Sequence, residues 1–206
     1  MVVNEPPASG HQPPLKLASV PIAYFENEAP SLVERLRRQE RAALGEAYDA
    51  HHAAARRLAR RLVGDDAAAE DLVQEAFVLL PRAVHNFDGG SALQTFILAI
   101  VVNCARHHVR SAARRRRLAE HYGDEPRART VDGDAEAGRH DLVRLLTRAL
   151  DELTLDQRTA FVLMELEERT SSDAGAIAGA PEATMRTRLF HAKRRLRERL
   201  EAWGAR

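Results

Sequence analysis

Three short stretches of this chain concentrate its charge, and with it any chemistry. Residues 65 to 75 carry five carboxylates and no base, residues 106 to 117 six arginines and no acid, and residues 186 to 199 seven Lys/Arg against one Glu. Read as a helix, the first stretch sets Glu70, Asp71, Gln74 and Glu75 opposite an apolar stripe of Val73, Phe77 and Leu80 at i, i+4 and i+7. Carboxylates on one helical face can make charge-assisted bonds to a partner's arginines, although a solvated acidic face has the same composition. Arg106, Arg110, Arg114 and Arg117 recur at three- or four-residue steps with Asn103 on the same outward stripe, giving this helix a basic outer face.

Histidines raise a metal hypothesis. His107 and His108 follow Cys104 by three and four residues, and His51 and His52 form a second pair. Adjacent histidines point apart on a helix, and Cys104 lies on the core stripe of Leu93, Ile97 and Ile100, so neither pair supplies two ligands to one ion. No metal site is expected. No Ser/His/Asp, Walker or nucleotide-binding glycine pattern is found either, so neither a catalytic centre nor a cofactor is expected.

The elements that carry these residues are helices. Charged residues make up 30% of the 206 and aromatics 5%, while Ala, Leu, Arg and Glu abound, a composition suited to helix and poor for strand. An all-α fold of two small helical domains joined by a flexible linker is expected. Pro6, Pro7, Pro13, Pro14, Pro21 and Pro30 predict a disordered Pro-rich arm over 1–30. One or two amphipathic helices follow to Gly64, using Leu32, Leu36, Leu44, Tyr48, Leu58 and Leu62, and Gly64-Asp65-Asp66 ends that stretch and caps the next helix. Pro81 predicts that this acidic helix stops or kinks. The apolar helix from Ala92 turns basic after Arg106, which closes a first domain over 31–117.

Gly123, Pro126, Gly133 and Gly138 among mixed charges make 118–138 a linker, and 139–206 a second domain. Within it Leu142 to Leu150 predicts a short helix, and Thr154 to Gln157 a capping box ahead of Phe161, Val162, Leu163 and Leu166. Two helices separated by Gly179-Ala180-Pro181 have helix-turn-helix proportions. Met185, Leu189, Ala192 and Leu196 form the buried side of the second helix, leaving Ala183, Arg186, Thr187, Phe190 and His191 toward the outside. Double-stranded DNA is the natural ligand of such a helix.

The net charge of +1 excludes a histone-like polycation, and a single Cys excludes a disulfide-stapled secreted domain. The longest apolar run, Phe96 to Val102, is far shorter than the roughly 20 residues of a membrane span. A soluble, cytoplasmic chain without membrane insertion is expected.

The segments Ala69 to Phe77, Phe87 to Ile97, Asn103 to Arg106 and Ala183 to Ala192 are similar to those of bacterial extracytoplasmic-function (ECF) sigma factors, and the resemblance covers about residues 31 to 200. It implies a non-enzymatic subunit that binds core RNA polymerase and directs promoter recognition, melting and transcription initiation. The resemblance assigns Asp71, Gln74 and Glu75 to a basic coiled coil of the polymerase. It assigns Phe87, Asp88, Ser91, Asn103, Arg106 and Arg110 to the minus-ten element and its melted non-template strand, and Arg186, Thr187, Arg188, Phe190 and His191 to the minus-thirty-five element. Lys193 and Arg194 suit phosphates. It also implies an anti-sigma regulator. The sequence departs from the family at Ala174 and Ala178, where bulkier aliphatics are usual on either side of a small residue that only Gly175 matches, predicting weak packing of that helix, and at Pro81, where an aromatic is usual. Two other functions compete. One is a helix-turn-helix regulator that works without polymerase, which the acidic helix opposes; the other is a helical metal-dependent hydrolase using Glu70, Asp71 and histidines, which the scattered ligands oppose.

Overall fold

Short polar signals decide where each helix begins and ends. The computed structural model describes residues 30–122 and 148–203, and all regular structure among them is helical. Helix α1 (Leu32–Arg37) opens on a reciprocal capping box between Ser31 and Glu34. Helix α2 (Arg41–Val63) ends on Gly64 at φ +73°, and the Asp65 carboxylate then accepts from the Ala68 N–H at 2.7 Å to open α3 (Asp66–Ala83). The expected stop and cap therefore stand where the sequence puts them.

Pro81 does not stop α3. The helix runs on to Ala83 and into a 3-10 turn, Val84–Asn86. Proline here lies in the last turn, where one lost backbone bond is offset by the complete burial of Leu80 and Val84 on either side. Helix α4 (Leu93–Tyr122) also outruns expectation, because 118–122, read as the start of a linker, continue it with helix-forming residues. The rest of that linker, the Pro-rich arm and the first part of the helix expected from Leu142 lie outside the described residues.

A helical turn at 148–151 leads to α5 (Leu155–Phe161), which opens on the expected Thr154/Gln157 capping box and continues as one π-helical turn, Val162–Leu166. Thr170 caps α6 (Ser171–Ala178), Gly179 at φ +61° ends it, and α7 (Glu182–Ala202) follows.

The two sets of helices share a core. Leu58, Leu62, Leu72, Val73, Leu80, Ile97 and Val101 from α2, α3 and α4 are fully buried, and the same apolar cluster continues through Ala160, Val162 and Leu163 to Ala174, Ile177, Ala178 and Met185. A smaller cluster joins Ala149 and Leu153 to Ala192 and Leu196. The described helices therefore form two helical domains, as expected, and these pack against each other through the shared cluster.

Helix α6 corrects a second expectation. Its alanines do not make it pack weakly: Ala174, Ile177 and Ala178 are wholly buried between α4 and α7. Small side chains let backbones approach, and a Cβ on Gly175 would stand 2.7 Å from the Ala180 carbonyl oxygen. Replacing Gly175 by Ala is therefore expected to destabilise the chain by about 1–3 kcal/mol, because a backbone oxygen cannot step aside as a side chain can. Denaturant unfolding of the purified variant beside the parent checks this, and an unchanged midpoint would contradict it.

Candidate functional site

Helix α3 divides its carboxylates between two uses. Asp66 and Glu70 face α2, where Arg56 reaches them at 3.7 and 3.3 Å and Arg60 reaches Asp66 at 3.2 Å. Asp71, Gln74 and Glu75 point to solvent, and among the described residues they make no ion pair. Val78, 74% exposed, continues their line at the i+7 position of Asp71, and Leu79 is exposed beside it. An apolar side chain in water at the end of an open acidic stripe has the makeup of a docking surface: charges for orientation and apolar area for affinity. In the sequence the acids mark this stripe, whereas Val78 carries no signal of it beyond falling off the apolar periodicity of the buried side. An open groove of about 550 Å³ runs along the α3–α4 seam and is lined by Glu75, Leu79, Arg82, Asn103 and His107.

The outward edge of α4 begins at Asn103, which is exposed, and continues through Arg110, also exposed. Before it, the loop after α3 is built on its own polar groups. The Asp88 carboxylate accepts from the Gly90 N–H at 2.9 Å, and Gly89 stands at φ +79°. Ser91 is exposed. Phe87, expected to meet DNA, is 7% exposed, and its ring packs on Phe96 at 5.1 Å. Its apolar ring is worth more in the core than in water, so it supports the loop from beneath. Arg37 of α1 donates to the carbonyls of Val84 and Phe87 and ties that loop down.

Arg106, half-buried on the same stripe, is tied into the fold. Its guanidinium donates to Asn103 Oδ1 at 3.0 Å, to the Ala178 carbonyl at 2.7 Å and to Asp156 Oδ1 at 3.2 Å. Asp156 and Ala178 belong to the second set of helices. Arg158, buried, crosses in the opposite direction: it donates to the Leu62 carbonyl at 2.9 Å, and also to the Leu150 carbonyl and Asp151. Glu167 meets Arg57 at 3.1 Å and Arg61, and Arg61 donates to the Leu166 carbonyl at 3.2 Å. None of Asp156, Arg158, Glu167, Arg57 and Arg61 was singled out in the sequence. Partners some 50 to 110 positions apart leave no periodic signal; only Arg158, a charge two positions before the apolar run Ala160–Leu163, is a detectable anomaly.

Helix α7 presents Arg186, Thr187 and Phe190 to solvent, with Phe190 63% exposed and His191 partly covered beneath it. Arg186 is held in place by Glu182, one turn before it, and by the Ser171 hydroxyl across the helix pair at 3.3 Å. The Ser171 hydroxyl and then Arg186 keep the Glu182 carboxyl below the usual carboxylate range. Thr187 donates its hydroxyl to the Ala183 carbonyl. Arg188 is turned inward, its Nη2 bonded to Asp156 Oδ2 at 2.6 Å. Lys193 pairs with Glu165 at 2.7 Å.

The histidine and cysteine positions do not converge. Among the described residues no group of three His, Cys, Asp or Glu could hold a metal ion. Burial lowers the pKa of His51, and the His52 ring stacks on Tyr48 at 4.7 Å. Burial, with the charge of Glu75 adding to it, pushes the Cys104 thiol up to about 11, so it stays protonated and unreactive at neutral pH. No described helix is long and apolar enough to cross a membrane.

Known proteins repeat this order of parts. Residues 47–115 match the Sigma-70 region 2 family and residues 144–196 the Sigma-70 region 4 family. The ECF RNA polymerase sigma factor SigC of Mycobacterium tuberculosis is 36% identical over 132 residues, which are 64% of this chain and 69% of that protein. Among solved structures, the sigma factor RpoE of Bartonella quintana, crystallised with the anti-sigma factor NepR, superposes with a TM-score of 0.59 at 28% identity, covering 76% of this chain and 96% of that one. CnrH in complex with the cytosolic domain of CnrY shares the fold, with a TM-score of 0.58 at 22% identity over 83% of this chain and 96% of that one. The two matched regions, the helix pair and this degree of identity together make the chain a member of the extracytoplasmic-function sigma factors of bacterial RNA polymerase.

Proposed function

We propose that the sigma-factor activity of this chain, binding of core RNA polymerase and direction of promoter recognition and initiation, is divided among three of its surfaces. The stripe Asp71, Gln74, Glu75 and Val78 docks the polymerase. One observation carries this: Asp71 and Glu75 are exposed and make no ion pair among the described residues, while their neighbours Asp66 and Glu70 on the same helix are taken up by α2 arginines. A surface helix neutralised for its own stability would pair all of them. A regulator that bound DNA without polymerase would have no use for the open acids, which disfavours that rival.

The second surface is the loop 88–91 with Asn103, Arg106 and Arg110, assigned to the minus-ten element and its separated non-template strand. Asp88 and Ser91 offer polar groups to an unstacked base, and the arginines meet phosphates. Phe87 acts here only by holding the loop. The third surface is the outer face of α7. Arg186, fixed by Glu182 and Ser171, is presented for a bidentate pair with a guanine in the minus-thirty-five element, and Thr187, Phe190 and His191 lie on the same face. Bond-making in RNA synthesis belongs to the polymerase, so the chain works in the cytoplasm beside it and needs no cofactor of its own. An anti-sigma protein is proposed as a further partner, because the RpoE relative was crystallised with one.

Exchange of Asp71 and Glu75 for Arg together is expected to abolish pull-down of core polymerase while leaving helical content and unfolding midpoint unchanged. Retained pull-down would remove the docking assignment. Exchange of Arg186 for Ala is expected to weaken binding of an upstream promoter fragment by about tenfold or more, since a good bidentate base contact is worth about 1–3 kcal/mol. Footprinting of the reconstituted holoenzyme on a promoter found by transcription of genomic fragments checks it; equal protection by both proteins would count against direct readout.

A further inference from the structure

The first turns of α6 and α7 meet at a polar contact built across the two helices rather than along one. The Ser171 hydroxyl donates to Glu182 Oε1 at 2.6 Å, and Arg186 Nη1 donates both to that oxygen and to Ser171 Oγ, the latter at 3.3 Å. Glycine makes the meeting possible. A Cβ at Gly175 would stand 2.7 Å from the Ala180 carbonyl oxygen and 3.6 Å from Glu182 N, so the bare backbone of α6 lets the start of α7 come within reach of Ser171.

An exposed ion pair four residues apart on a helix contributes little stability, and both Glu182 and Arg186 are exposed. What the pair leaves open is more informative. Both bonds use Nη1 of Arg186, so among the described residues the Nη2 and Nε edge has no partner, and neither has Glu182 Oε2. That guanidinium edge is a parallel pair of donors, the shape that guanine O6 and N7 accept, and a carboxylate oxygen beside it is the acceptor that a cytosine N4 amine requires.

A carboxylate on this face also opposes binding. The Ser171 hydroxyl and then Arg186 hold its pKa below the usual range, so it stays ionised, and DNA phosphates repel it whatever their sequence. A charge that disfavours every duplex and is compensated by one acts as a selector.

We propose that Glu182, set in place by Ser171, is a specificity-determining residue of the promoter-reading helix: with Arg186 it reads a guanine and the cytosine amine beside it in the major groove as one unit, and its charge disfavours duplexes that offer no such amine. This rests on the assignment of Arg186 to the upstream element and adds the acceptor half of the readout. Without Glu182 and Ser171 the arginine is still drawn to DNA, but as a mobile cation that any phosphate satisfies.

The test uses holoenzyme reconstituted with the full chain and a promoter found by transcription of genomic fragments. In the upstream element each guanine is replaced in turn by 7-deazaguanine, which lacks the N7 acceptor, and each cytosine by N4-methylcytosine, which keeps its pairing proton and loses the outward one. Competition binding reads the factor by which each replacement weakens the complex, a ratio that reduced folding stability does not move, and also the affinity for an unrelated duplex. The variants are Arg186→Ala, Glu182→Ala, Ser171→Ala and, as a charge control, Glu198→Ala, which removes an acid later on α7 that pairs with Arg194 at 3.7 Å.

Arg186→Ala is expected to become indifferent to one 7-deazaguanine. Glu182→Ala is expected to become indifferent to one N4-methylcytosine, to respond to that same 7-deazaguanine about threefold less than the parent, and to bind the unrelated duplex about twofold more tightly. Ser171→Ala weakens both responses without changing affinity for the unrelated duplex, because no charge is lost. Glu198→Ala tightens the unrelated duplex and keeps both responses. If every N4-methylcytosine affects the parent and Glu182→Ala alike, or if Glu182→Ala loosens the unrelated duplex, the selector role is overturned. An Arg186→Ala holoenzyme that responds to every 7-deazaguanine as the parent does overturns instead the assignment of Arg186, and the paired readout with it.

Discussion

Helix carbonyls without partners in their own helix are what the two halves of this sigma factor offer each other. Leu62 O and Ala178 O would face an apolar junction unsatisfied, at a cost of a few kcal/mol each, if Arg158 and Arg106 did not cross to them. Burial of Ala174, Ile177 and Ala178 against α4 brings the junction close enough for these bonds, and the bonds in turn fix its register. The small residues of α6 matter for the same reason. A bulkier helix would hold the backbone away, and Arg106 would not reach the α6 terminus.

This junction also sorts the charged surface. Acids that serve the fold are paired: Asp66 and Glu70 with α2, Glu167 with Arg57 and Arg61, Asp156 with Arg106 and Arg188. Asp71 and Glu75 stand outside that accounting, with Val78 beside them, and on this rests the proposal that the α3 stripe docks a partner. Exposed ion pairs are individually weak, so it is the contrast between paired and open carboxylates on one helix, rather than any single energy, that distinguishes structure from function here.

Much of this was legible in the sequence. The all-α class follows from helix-forming composition, and Gly64, Asp65, Thr154, Gln157 and Gly179 mark helix ends because capping depends on neighbours within a few positions. The two faces of α3 and the buried side of α7 follow from a 3.6-residue period. Pro81 misled because the strength of a helix breaker depends on what the residues around it bury, and Leu80 and Val84 are buried completely. Phe87 misled for a related reason: an aromatic at a loop edge has the same local signature whether it faces a base or Phe96.

By itself the sequence determined helices, their caps, their apolar sides and the three charged segments, all of which are set by interactions reaching no further than about one helical turn. Only the tertiary structure decided that the halves close on each other, that Arg106 and Arg188 share Asp156, and that Gly175 and the alanines of α6 are close-contact residues rather than weak ones. These depend on groups brought together from positions tens of residues apart. A chain's local pattern holds no trace of which distant carbonyl or carboxylate an arginine will meet once apolar burial has chosen the packing.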